Sequence, residues 1–183
     1  MTLRTAGSFV LIDGRVVFQA GPDQTGDQIG IVRIGGHIES GETSWECARR
    51  EALEEASLTV AAVDAPTTFC LSLEDPPCVV PWADGSPRPL HASSTSHVFL
   101  CVSDDKPTPS SETRGLILLP LDALRSINEG EHTLSSLERT GCEILLRDPS
   151  EKEDLYTLPV APRWAGLLGE VLAKYPELRL WGR

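Results

Sequence analysis

At 183 residues the chain suits one domain, spanning 1–183, with a core of real size; 40% hydrophobic and 5% aromatic content is ordinary for a soluble globular protein. A net charge of −11 argues against general nucleic-acid binding and against anionic membrane surfaces, which would repel it, yet admits a small phosphorylated substrate where a metal ion reverses the field locally. The opening MTLRTAGSFVLIDG carries no apolar run behind basic residues, and no stretch of about 18 apolar residues occurs, so the chain reads as cytoplasmic with no membrane partner.

The runs Ser8 to Ile12 (SFVLI) and Arg15 to Gln19 (RVVFQ) flank Asp13-Gly14, a dipeptide that tolerates the positive φ angles of a tight turn, which predicts an opening hairpin. Gly21 to Gln28 reads as a surface loop and Ile29 to Ile34 as a strand ending at Gly35-Gly36. Thr43 followed by Glu46 fits a capping box and starts a helix. At about 100° per residue, Trp45, Ala48, Ala52, Leu53 and Ala56 share a side to bury, while Glu51, Glu54 and Glu55 share an acidic arc to present.

Farther on, Leu58 to Val63, Thr67 to Leu73, His97 to Val102 and Leu116 to Leu119 read as strands. Glu74 to Ser96, rich in Pro, Ser and Gly, is a long excursion within the domain, of a length that usually has a function. Leu121 to Ile127 and Leu134 to Arg139 predict short helices, and Arg163 to Tyr175 an amphipathic one near the end. Five scattered cysteines without CxxC spacing indicate buried free thiols, and the four histidines show no metal spacing. The fold class is mixed α/β: a curved mixed sheet with the acidic helix on one face.

Carboxylates three and four apart on a helix repel by a few tenths of a kcal/mol per pair unless a cation lies among them. Hard oxygen ligands at that density suit Mg²⁺ or Mn²⁺, which keep several waters and bridge to phosphate oxygens. Gly35, Gly36 and Gly41 allow the preceding loop to turn sharply and bring a carbonyl toward the same metal. Arg50 is assigned a bidentate pair with Glu42 that locks loop to helix. An acidic helix taken at random is a solvated surface, and only the spacing argues otherwise. Gly36, five residues, Glu42, seven residues, Arg50-Glu51-Ala52, one residue, Glu54-Glu55 and then Leu58 resembles the Nudix box, G-x5-E-x7-R-E-U-x-E-E-x-G-U. Its six fixed polar and glycine positions would coincide by chance on the order of 10⁻⁷ per starting position.

The resemblance implies an α/β/α sandwich and Mg²⁺-dependent hydrolysis of the pyrophosphate in a nucleoside diphosphate linked to another moiety. By the same resemblance Glu54 and Glu55 are metal ligands, the carbonyl of Gly35 or Gly36 is another, Glu51 is a ligand or orients the attacking water, and Arg50 belongs to the catalytic set. Members often draw a base from a loop ahead of a late strand, where Glu112 is the candidate and Glu74 the reserve. Arg33 is the candidate phosphate contact, Trp82 a platform for a nucleobase, and Glu39 an outer supporting group. Two positions depart from the pattern: Ser57 replaces the closing glycine, and Ile34 the proline that commonly precedes the paired glycines. Dimerisation is common among such domains, though no residue here demonstrates it. The competing reading is a catalytically silent Nudix-like domain that binds a nucleotide derivative as sensor or scaffold; the intact acids favour catalysis. Nucleoside triphosphates, dinucleotide polyphosphates, nucleotide sugars and capped RNA ends all stay open as substrates.

Overall fold

The computed structural model describes residues 3–21, 28–65, 67–70, 84–128, 132–152, 156–158 and 164–177. The strands are β1 (Thr5–Ile12), β2 (Arg15–Gly21), β3 (Gln28–His37), β4 (Ala61–Ala62), β5 (His91–Ala92), β6 (Ser96–Val102), β7 (Gly115–Pro120), β8 (His132–Thr133), β9 (Glu143–Leu146) and β10 (Tyr156–Leu158). The helices are α1 (Ser44–Ala56), α2 (Leu134–Arg139) and α3 (Trp164–Lys174).

The opening hairpin forms at the expected dipeptide, with Asp13 at φ 48° and Gly14 at φ 76°. Its two strands stay paired only from Ile12↔Arg15 to Val10↔Val17 and then part. The start of β1 turns to β3, pairing Thr5↔His37 through Ser8↔Ile34, while the end of β2 pairs with β3 from Phe18↔Arg33 to Gly21↔Gly30. On their outer edges β1 runs parallel to β6 and β2 antiparallel to β7. A sheet that exchanges partners midway curves, and the curve brings the end of β3, with its glycines, beside α1.

Period-two alternation then builds two cores. Val10, Val17, Ile34, Phe99, Cys101, Leu116 and Leu118 point to one face, where Ala48, Ala52 and Ala56 of α1 cover them. Phe9, Leu11, Phe18, Val98, Leu100, Ile117 and Leu119 point to the other, covered by Leu134, Leu137, Trp164, Leu168 and Leu172 from α2 and α3. The result is the expected α/β/α sandwich. The alanines let α1 lie close to the sheet, and Trp45 closes that core edge-on against Phe99 at 5.2 Å between ring centroids.

Several expectations need correction. Leu53, assigned to the buried face, is 58% exposed, and Cys47 takes its place inside. Glu51 and Glu55, assigned to a presented face, are only 9% and 7% exposed; Glu54 alone of the three faces solvent. Leu58 to Val63 supplies a strand of only two residues, Ala61–Ala62, and of Thr67 to Leu73 the described part makes one bridge, Phe69 to His91. Leu121 to Ile127 forms a turn that leads into a 3₁₀ segment, Ser126–Asn128. Burial of Leu124 and Ile127 against α3 and the sheet governs there, ahead of helix propensity. β8, β9 and β10 are additions to the expected elements, each too short to leave a periodic signal.

Candidate active site

Thr43 and Glu46 build the reciprocal cap foreseen in the sequence: Glu46 N–H donates to Thr43 Oγ1 at 3.2 Å, and Thr43 N–H to Glu46 Oε2 at 2.8 Å. The exit of α1 is less regular. Ser57 adopts the left-handed conformation at φ 58°, ψ 36°, which a glycine would reach without strain. Two carbonyls of the last turn are taken by the loop before β7, with Thr108 N–H donating to Ala56 O at 2.9 Å and Ser110 N–H to Glu55 O at 3.2 Å. That loop carries Glu112, exposed, whose charge adds to the upward push on Glu51. The box helix and the candidate base are therefore fastened together by backbone hydrogen bonds.

Arg50 organises the outer half of the site. Its Nε donates to Glu42 Oε1 at 2.9 Å and its Nη2 to Glu42 Oε2 at 3.2 Å, the bidentate pair expected from the sequence. Nη1 donates to both Glu51 Oε1 and Glu54 Oε2 at 2.8 Å, and Nη2 also reaches the His37 carbonyl at 2.9 Å. Arg50 holds the Glu42 carboxyl below its ordinary range, and Glu42 is the main reason the Arg50 charge is reinforced. Burial raises Glu51 above the usual carboxylate range, with Arg50 opposing it.

Glu55 belongs to an inner half. Its Oε2 accepts from Gly35 N–H at 2.8 Å, a partly buried bond, and its Oε1 from the Gln19 amide at 2.9 Å, a fully buried one. Burial pushes its pKa up to about 7. The glycines are steric requirements of this packing: a Cβ on Gly36 would collide with the Glu51 carboxylate, and Gly35 is held at φ +146°, open only to glycine.

A family model described as the NUDIX domain matches residues 1–138. The chain belongs to the Nudix hydrolase family. A comparison with curated proteins finds no match. Similar solved structures include a NUDIX-family hydrolase from Clostridium perfringens, 19% identical with a TM-score of 0.47, covering 68% of this chain and 85% of that one. The E. coli ORF135 protein is 14% identical with a TM-score of 0.49, covering 99% of this chain and 94% of that one. An ADP-ribose pyrophosphatase from Streptococcus suis is 16% identical with a TM-score of 0.42, covering 66% and 76%.

Among the Nudix box residues, then, Gly36, Glu42, Arg50, Glu51 and Glu54 converge on one network, with Glu55 and Gly35 directly behind it. No three His, Cys, Asp or Glu side chains among the described residues converge as a metal cage. The reason is visible: Arg50 lies between Glu51 and Glu54 as their shared cation, and Glu55 is turned inward to Gln19 and Gly35. As a donor set, three carboxylates beside a glycine backbone still fit a hard divalent cation.

Arg33 is placed differently from a phosphate contact. It is 5% exposed, donates to the Ala6 and Ile34 carbonyls at 3.0 and 3.3 Å and to Ser96 Oγ at 3.2 Å, and lies 5.0 Å from the Trp164 ring. It faces the α3 side because residues alternate along β3, and the side chain of Ile34 has the α1 side. Glu39 is exposed, and only its N–H serves the site, donating to Glu42 Oε2 at 2.9 Å. Trp82 and Glu74 lie outside the described residues. Gln19 was missed in the sequence; its one signal is a polar residue at the α1-facing position of a strand in which Val17, two before it, faces the same core.

Proposed function

We propose that the protein is a divalent-metal-dependent pyrophosphohydrolase acting on a small molecule that contains a nucleoside diphosphate. The observation that carries this reading is Glu51 and Glu54 sharing Arg50 as their counter-charge on one turn of helix beside Gly36, with Glu55 on the same turn bonded to Gly35. Like charges at that spacing cost helix stability, and a cation repays it. Glu51, Glu54 and Glu55 with the Gly36 carbonyl would hold Mg²⁺, with Mn²⁺ as a substitute. When bound, the metal neutralises pyrophosphate charge and makes its water acidic.

The chain's own residues do the rest. Arg50 orients Glu51 and Glu54 through one nitrogen and ties the loop through Glu42. Glu51, whose affinity for a proton is raised by burial, and Glu112 on the adjoining loop are the candidates to accept the proton of the attacking water, with Glu74 in reserve. No helix among the described residues is long and apolar enough to cross a membrane. The net charge of −11 favours small substrates over long polyanions, so nucleoside triphosphates, dinucleotide polyphosphates and nucleotide sugars come ahead of RNA ends. Residency in the cytoplasm completes the reading.

The test is turnover of a substrate panel with and without Mg²⁺. The expected result is metal-dependent release of a mononucleotide from at least one compound, lowered at least about 10²-fold by Glu54→Gln. Because Glu54 is exposed, that substitution leaves thermal stability within about 0.5 kcal/mol. Saturable nucleotide binding without turnover on any compound would make the protein a silent sensor domain instead.

A further inference from the structure

Behind the acids of the box stands a residue that the family pattern does not specify. Gln19 lies on β2 opposite Val32 of β3, three residues before Gly35, and is 7% exposed. Its amide reaches across the sheet face to Glu55 Oε1 at 2.9 Å, a bond buried at both ends. Glu55 Oε2 accepts from Gly35 N–H at 2.8 Å. A side chain of β2, a carboxylate of the helix and the backbone of β3 are thus joined in one line: Gln19 amide, Glu55 carboxylate, Gly35 amide.

That line has a defined direction. A carboxylate holding a backbone N–H through one oxygen can still rotate about its side-chain torsions; a second donor on the other oxygen removes that freedom. Each carboxylate oxygen accepts twice, so both keep a lone pair after these bonds are made. On the opposite side of the same stretch of β3, the Arg33 guanidinium packs where a Cβ on Gly35 or Gly7 would be, and donates to the carbonyls of Ala6 and Ile34. The glycine end of β3 is therefore held on one side by Glu55 and on the other by Arg33, and Gln19 is the second group that fixes where Glu55 points. Ligating carboxylates are generally oriented by such hydrogen bonds, and loss of the orienting partner costs about 10- to 100-fold in metal affinity or activity.

We propose that Gln19 is a positioning residue of the active site: its amide fixes the Glu55 carboxylate, and through it the Gly35-Gly36 end of β3, so that the carboxylate lone pairs these bonds leave over and the adjoining carbonyl stay in one place for a divalent cation to meet. The inference rests on the reading of the site as a metal-dependent pyrophosphohydrolase. It predicts an order of effects in which the amide exchange of Gly35 and the affinity for metal change together, ahead of any change in global stability.

The experiment compares the parent with Gln19→Leu and with the double variant Gln19→Glu/Glu55→Gln, which reverses donor and acceptor while keeping both bonds. Mn²⁺ affinity is read by calorimetry without substrate, the Gly35 N–H by hydrogen exchange, and kcat and KM on the best substrate of the panel. Gln19→Leu is expected to weaken Mn²⁺ binding by at least about tenfold, speed Gly35 exchange by a similar factor, and lower kcat more than it raises KM. The double variant is expected to restore slow Gly35 exchange. Parent-like Mn²⁺ affinity and Gly35 exchange in Gln19→Leu would overturn the proposal, as would fast Gly35 exchange in a folded double variant. A lower melting temperature alone, with both site readouts unmoved, would make Gln19 a packing residue and overturn it too. Failure of the hydrolase reading shows elsewhere, as absence of metal-dependent turnover in the parent, and Gly35 exchange still judges the Gln19 bond by itself.

Discussion

The two faces of the sheet each bring an arginine to the Gly35-Gly36 end of β3, and the two are held in opposite ways. On the α1 face Arg50 is partly exposed and meets charge with charge, bonding Glu42, Glu51 and Glu54. On the α3 face Arg33 is buried, its Nη1 donating to two backbone carbonyls and its Nη2 to a serine hydroxyl, its guanidinium beside Trp164. Burial there pulls the Arg33 pKa down to about 10, while Glu42 above all reinforces the Arg50 charge. A surface network of charges exchanges partners at little cost, since exposed ion pairs are worth about 0–1 kcal/mol. A buried fork on neutral carbonyls does not exchange, because any group it releases is left unpaired. One arginine is bonded to the acids proposed to hold the metal, and the other belongs to the scaffold.

The sharpest way to break this contrast is to truncate each in turn. Arg33→Ala leaves the Ala6 and Ile34 carbonyls without their donor and opens a cavity beside Trp164, an expected loss of about 3–5 kcal/mol. For a chain of this size that lowers the melting temperature by about 6–20 °C. Arg50→Ala is expected to cost about 1 kcal/mol or less in stability while releasing Glu42, Glu51 and Glu54, so activity falls and the fold stays. Thermal melts and kinetics on both variants decide. An Arg33→Ala protein that melts with the parent would place Arg33 outside the scaffold.

A second test uses protons. Burial pushes Glu55 up to about 7 from an ordinary 4.5, so between those values the folded chain holds a proton that the unfolded chain has lost. Stability of the metal-free protein is then highest below about 4.5 in this respect and falls as pH rises toward 7. Glu42, held down by Arg50, works in the opposite sense at lower pH. Glu55→Gln removes the inner group's share: it is expected to be about 2–3 kcal/mol more stable than the parent at pH 8 in EDTA, with no gain at pH 4. Denaturant titrations at both pH values measure it, and a gain that grows on acidification would refute the assignment of the inner half.

The same contrast explains what could be read from the sequence. Thr43 with Glu46, Glu42 with Arg50 and Asp13-Gly14 are local devices, fixed by neighbours a few residues apart, and all formed where expected. The acids of α1 were legible as a set, yet their division into an exposed Glu54 and a buried Glu55 was not. That division depends on Gln19 and Gly35, 36 and 20 residues distant from Glu55. Arg33 looked like a surface cation because nothing near it announces Ser96 or Trp164, which reach it only through strand order and the packing of α3. Leu53 was assigned to the core because hydrophobicity says nothing about how close a helix lies to its sheet. With alanines at 48, 52 and 56 the contact stripe is narrow, and Leu53 falls outside it.

The smallest effect comes from the far end of the same helix, where Ser57 takes over the role of the box's usual glycine. At φ 58° its side chain bears the left-handed strain that glycine escapes, about 1 kcal/mol or somewhat more. Its N–H still donates to Leu53 O at 3.0 Å, and the following Leu58 is fully buried, so the exit is held in place by packing and not by local preference. Ser57→Gly is expected to stabilise the protein by up to about 1 kcal/mol, raising the melting temperature by about 2–4 °C, because added freedom in the unfolded chain takes back part of the relieved strain. The exit adjoins the loop that fastens Glu112 through Ala56 and Glu55 carbonyls, so kcat serves as the second readout. Unchanged kcat with a higher melting temperature means that the strain serves nothing beyond the turn itself. A fall in kcat in the stabilised variant would show that a stiff serine exit helps to hold the Glu112 loop against α1.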